Sequence, residues 1–134
     1  MRNASDSPFL FTANTIKRNH RTLKAWQEVI DLVDAIYSAT ATFPTDKRFG
    51  LTSQLRRASV SVPANIAEGF ARTGTRELLR FLSIASGSLS ELDTLIEVVK
   101  RQKLLAEANE LTEHIDRISA LVLALAASLK KKLD

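Results

Sequence analysis

From Thr22 onward, apolar residues return every three or four positions, the period of helices that each bury one side. Trp26, Ile30, Val33 and Tyr37 mark the stripe of a first helix, and Val29, Leu32 and Ile36 widen it. Lys24, Gln27, Glu28, Asp31 and Asp34 are left for solvent. Thr22 suits the N-cap, and Phe43-Pro44 ends the helix, because a proline drives the residue before it out of the α region. A second stripe, Leu51, Leu55, Ala58 and Val62, follows the N-cap candidates Thr45 and Asp46. Pro63 interrupts it, and the stripe resumes one position late at Ile66 and Phe70, so a kinked helix is predicted. Ser59-Val60-Ser61-Val62 also alternates like a strand. A lone short strand would have no partner in a helical chain, and the helical reading is preferred.

Gly74 then offers a stop, with Thr75 as the next cap and Glu77 in the first turn. Leu78, Leu82, Ala85, Leu89, Leu92, Ile96 and Val99 alternate steps of four and three, a heptad seam for packing at a shallow angle. Ala85-Ser86-Gly87-Ser88 is small throughout and would admit a neighbouring helix closely. A second regular seam runs from Leu104 through Ala108, Leu111, Ile115, Ile118, Val122 and Leu125 to Leu129. Four long helices joined by short links predict an all-α, up-down-up-down antiparallel four-helix bundle, its second helix kinked at Pro63, over residues 22–134. Residues 1–21 read as a basic N-terminal arm of weak order. Val29, Leu32, Ile36, Leu121 and Leu123 lie beside the main seams, so a monomer would expose apolar surface and a homo-oligomer is expected.

Composition narrows the chemistry. The 134 residues suit one domain, and 45% hydrophobic content suffices for a core. No cysteine is present, which rules out disulfides and thiolate metal sites. The longest apolar run, Ile118–Leu129, is shorter than the ~20 residues of a membrane span. MRNASDSPFLF at the start lacks the apolar stretch of a signal peptide, and a cytoplasmic protein is expected. The formal net charge is +4. Much of the excess sits in the arm, where Arg2, Lys17, Arg18 and Arg21 face Asp6 alone; this favours a polyanionic partner.

Three stretches are distinctive: Leu23-Lys24-Ala25-Trp26-Gln27, the run from Gly50 to Phe70 (GLTSQLRRASVSVPANIAEGF), and Arg80 to Leu92 (RFLSIASGSLSEL). Over roughly residues 22–100 the chain resembles the four-helix-bundle proteins encoded by intervening sequences within bacterial 23S ribosomal RNA genes, the S23 ribosomal protein family. The fourth helix matches in pattern only, and the longer basic arm departs from the family. The resemblance implies a pentamer with a barrel-like outline. It also implies kinship with the accessory variability protein of diversity-generating retroelements, which is similar in fold, basic, and binds nucleic acid and a reverse transcriptase.

Five arginines are the candidate nucleic-acid contacts: Arg56 and Arg57 on the second helix, and Arg72, Arg76 and Arg80 around the turn into the third. Guanidinium groups suit bidentate contacts to phosphate. In a ring each would repeat about the axis and raise the local field. The competing reading pairs them with Glu68, Glu77 or Glu91 on neighbouring helices. Asn65, Glu68 and Glu91 are read as a polar network between helices rather than a carboxylate active site, since neither a nucleophile nor a binding pocket accompanies them. His114 follows Glu110 by four, but a carboxylate-bundle metal site needs such motifs on two helices. Trp26 and Tyr37 are assigned to the core rather than to base stacking. Gly50, Gly69, Gly74 and Gly87 are isolated and form no phosphate loop. The expected protein is therefore non-enzymatic, without cofactor or metal. It is expected to be a homopentamer binding structured RNA or an RNA/DNA hybrid; the alternative is an oligomeric scaffold for a protein such as a reverse transcriptase, without direct nucleic-acid binding.

Overall fold

A computed structural model describes residues 19–133. The N-terminal arm up to position 18, with Arg2, Asp6, Lys17 and Arg18, falls outside the described residues. Four long helices account for most of the rest: α1 (Lys24–Thr40), α2 (Ser53–Ala71), α3 (Thr75–Arg101) and α4 (Ala108–Lys131). No strand occurs among the described residues, and Ser59 to Val62 lie inside α2. Each helix packs on the next, and α4 closes onto α1. The directions follow from the contacts. Arg56, early in α2, meets Tyr37 and Thr40 at the end of α1. Ser61 meets Ser88, whereas Gly69, farther along α2, lies against Leu78 and Phe81, earlier in α3. Arg117 of α4 reaches Glu28 of α1. Leu79 and Ser83, early in α3, line one cleft with Val122, Ala126 and Lys130, late in α4, so the bundle runs up-down-up-down.

All seven seam residues of α3 are buried, as are Ala108, Leu111, Ile115, Ile118 and Val122 of α4. Leu125 and Leu129 are half-buried, and Leu104 packs on the core from the link before α4. In α1 the two stripes exchange roles. Val29, Leu32 and Ile36 form the core face, while Trp26, Ile30 and Val33 are half-buried and Tyr37 is 42% exposed. Aliphatic side chains pack without polar remainder, whereas an indole and a phenol carry a polar tip that is better left at the boundary.

Helix ends differ more from expectation. Thr22 is not the cap of α1. It belongs to a 3₁₀ turn, Asn19–Thr22, its hydroxyl donates back to the carbonyl of Asn19, and Leu23 stands at the N-cap. Neither Thr45 nor Asp46 caps α2. A 3₁₀ turn (Thr45–Lys47) and one π-helical turn (Arg48–Thr52) lead directly into it, so the backbone is already helical at Ser53. Thr75 is the first residue of α3 rather than its cap; Gly74 precedes it with φ of 94°, a conformation open chiefly to glycine. As expected of a single second helix, α2 runs continuously from Ser53 to Ala71 with Pro63 buried inside it. The proline removes one ladder hydrogen bond without ending the helix.

Two features set the spacing of α2 and α3. At Gly69 a Cβ atom would lie 2.8 Å from Cβ of Phe81, a close approach not expected from the sequence; in the small stretch Ala85–Ser88, Ser88 meets α2 while Gly87 faces open space. Farther along, the Ser61 and Ser88 hydroxyls meet at 2.8 Å, and the Asn65 amide donates to the Ser61 carbonyl at 2.8 Å and to its hydroxyl at 3.0 Å. The expected polar network thus forms from Asn65, Ser61 and Ser88. Glu68 and Glu91 are exposed and take no part in it.

Candidate nucleic-acid interface

The five arginines do not form one patch. Arg57 and Arg72 lie fifteen positions apart in and just beyond α2, which at 1.5 Å per residue separates their backbones by roughly 22 Å. Two basic sites result, with different internal chemistry.

At the α2–α3 turn, acids neutralise most of the charge. Arg72 pairs with Glu68 at 2.9 Å and Arg80 with Glu77 at 2.7 Å. The hydrogen bond from Arg80 holds the Glu77 carboxyl below the usual carboxylate range, and the same bond raises Arg80. Both guanidinium groups also lie over the ring of Phe81, at 5.3 and 4.5 Å. Helical geometry explains the pairing: spacings of three and four put each acid beside its arginine on the helix surface. Arg76 is exposed, with no ion pair among the described residues.

At the α1–α2 corner the balance is reversed. Arg56 is committed to the fold: its Nε donates to the Thr40 hydroxyl at 2.9 Å, a second nitrogen donates to the Tyr37 carbonyl at 3.4 Å, and its guanidinium lies 4.5 Å from the Tyr37 ring centroid. It places a cation at the negative end of the α1 dipole. Arg57, one residue on, faces solvent with no ion pair among the described residues. Beside it opens a cleft of about 570 Å³ with Arg48, Phe49, Tyr37 and Val60 on its walls. Three arginines and two aromatic rings line the cleft, and no carboxylate does.

Arg48 and Phe49 escape the sequence reading because neither lies on a helical stripe. The signal available is Lys47-Arg48-Phe49, an aromatic beside two cations in the link between helices. Tyr37, assigned to the core by period, lies on the cleft wall instead. No group of three or more His, Asp or Glu residues suited to a metal ion occurs among the described residues, and none of the described helices is long and apolar enough to cross a membrane.

A family model described as 23S rRNA-intervening sequence protein matches residues 21–124. Among solved structures, one similar chain is a protein with unknown function from the S23 ribosomal protein family of Bacteroides thetaiotaomicron VPI-5482. It is 17% identical, with a TM-score of 0.71, over 77% of this chain and 95% of that one. At that identity the likeness shows the fold. No curated protein matches the chain.

Proposed function

The chain belongs to the 23S rRNA-intervening sequence protein family, and from that premise we propose that it is a non-enzymatic, cytoplasmic protein that binds nucleic acid as a homo-oligomer. The observation that carries the reading is the α1–α2 cleft, where Arg48, Arg56 and Arg57 gather with no carboxylate on the walls. Arg57, exposed and without an ion pair among the described residues, is available to phosphate, and each phosphate neutralised releases counterions. The net charge of +4 agrees in sign. Exposed apolar side chains on separate helices, among them Ile84, Val98 and Leu123 at 60% exposure, support association of several copies. A pentameric ring, as the family resemblance implies, would repeat the cleft about its axis and multiply a modest charge per subunit.

The test is light scattering of the purified protein, alone and with a structured RNA, across a salt series, followed by the Arg57→Ala variant. An oligomer that takes up RNA at low salt and releases it as salt rises is the expected result. Arg57→Ala then reduces the slope of log affinity against log salt by about one contact per site. An oligomer indifferent to RNA would overturn nucleic-acid binding. It would favour a scaffold for a protein such as a reverse transcriptase, using the same apolar side chains.

A further inference from the structure

Phe49 is 89% exposed, the most exposed of the large hydrophobic side chains described. It stands on the π-helical turn Arg48–Thr52, which joins a 3₁₀ turn to α2. π-helical turns are rare and are found frequently at functional sites. The ring contributes little to the bundle: the core gathers Leu55, Ala58 and Val62 from α2, and Phe49 is not among the side chains packed against it. An aromatic left in water loses the transfer free energy it would gain by burial, so a ligand that covered the ring would recover it. What surrounds it is cationic. The Arg48 guanidinium lies 5.5 Å from the Phe49 centroid, and Arg57 lines the same cleft.

We propose that this cleft holds unpaired nucleotides of a single strand, one base stacked on Phe49 and the adjoining phosphates held by Arg57 and Arg48. The inference rests on the nucleic-acid reading and makes it narrower. In a duplex the base faces are covered by neighbouring pairs, so a phenyl ring finds no π-face to stack on; in a loop, bulge or free strand it does. Arg56 is a positioning residue, since its hydrogen bonds to Thr40 and the Tyr37 carbonyl fix that wall. A side chain so engaged offers less to phosphate than Arg57. The cleft volume of about 570 Å³ falls within the roughly 300–1,000 Å³ of small-molecule clefts. Its polar groups are guanidiniums and hydroxyls, and no acid is present to accept from a base amino group. Stacking with few base-edge contacts tolerates any sequence.

The experiment compares binding of a labelled unstructured single strand and a fully paired duplex of equal length, by fluorescence anisotropy, to the wild type, Phe49→Ala, Phe49→Trp and Arg57→Ala. The wild type should prefer the single strand. Phe49→Ala should lose about 5- to 100-fold of single-strand affinity with duplex affinity unchanged. Phe49→Trp should keep the preference, its indole fluorescence quenched by the strand. If Phe49→Ala binds the single strand as the wild type does while Arg57→Ala weakens both ligands, stacking is overturned and nucleic-acid binding survives. If the wild type binds neither, both fall together. If Phe49→Ala dissociates the oligomer in light scattering, the ring is a contact between copies and the base-stacking proposal is wrong.

Discussion

The Nε of Arg56 donates to the hydroxyl of Thr40 at 2.9 Å, and that hydroxyl in turn donates to the Ile36 carbonyl at 2.7 Å. The last turn of α1 is thereby fastened to the start of α2 across a link that contains no other long element. Thr40 is buried, so its hydroxyl is costly to leave without partners. Arg56→Ala should lower stability by roughly 1–2 kcal/mol through the lost hydrogen bonds, the contact with the Tyr37 ring and the dipole interaction. Arg57→Ala should fall within about 0.5 kcal/mol of the wild type, as surface substitutions do. Urea unfolding of the two variants checks the contrast. Equal stabilities would mean that Arg56 does not clasp the corner.

Gly69 and Gly87 should respond to alanine with opposite signs. Alanine is favoured over glycine in a helix by about 1 kcal/mol. At Gly87 a Cβ meets nothing within 4 Å, so Gly87→Ala should stabilise by that amount. At Gly69 the new Cβ would lie 2.8 Å from the Phe81 Cβ and 3.4 Å from the Leu78 carbonyl oxygen, both fixed to the backbone of α3. Overpacking costs about 1–3 kcal/mol, so Gly69→Ala should destabilise on balance. Thermal melts of both decide the matter. A destabilised Gly87→Ala would place a neighbouring copy against that face.

Lys103 holds a glycine's conformation. Its φ is 56°, and the link after α3 closes with Lys103 N–H bonded to the Lys100 carbonyl at 3.1 Å and Leu104 N–H to the Val99 carbonyl at 3.1 Å. That paired bonding is a Schellman motif, whose left-handed position usually carries glycine. Removing the Cβ removes the left-handed penalty of about 1–2 kcal/mol, while the greater freedom of glycine in the unfolded chain offsets part of it. Lys103→Gly should therefore raise stability by about 0.5–1 kcal/mol, read as a higher urea midpoint with an unchanged slope.

The Glu77–Arg80 pair makes a prediction about pH. Arg80 lowers the Glu77 pKa in the folded protein, so the pair's contribution is present above the unfolded carboxylate value and is lost as pH falls through the lower folded value. Wild type and Glu77→Gln should differ in melting temperature near neutrality and converge in acid. The difference will be small, because both side chains are about half exposed. Under the nucleic-acid reading, Glu77→Gln also releases Arg80 and should tighten RNA binding at low salt. Unchanged binding would limit the interface to the α1–α2 corner.

The α3 and α4 seams could be read directly from the sequence, because a heptad stripe has only one way to face a bundle and each leucine in it reports the same direction. So could the all-α class, the four-helix count and the antiparallel order, which follow from stripe length and short links. Pairing of the arginines with Glu68 and Glu77 was expected between neighbouring helices, whereas the pairs form locally, at spacings of four and three along the chain. What the sequence left open was the choice between two adjacent stripes on α1. Trp26–Tyr37 and Val29–Ile36 have the same period, and only packing against three other helices selects the aliphatic one and turns Tyr37 toward the cleft. Thr22, Asp46 and Thr75 suit caps by residue type but do not cap, because 3₁₀ and π turns, or a left-handed glycine, lead into these helices without a side-chain bond. The Arg48–Phe49 wall was invisible for a related reason. It belongs to no periodic element, and its neighbours Arg57 and Tyr37 reach it only when α1 and α2 fold back on each other.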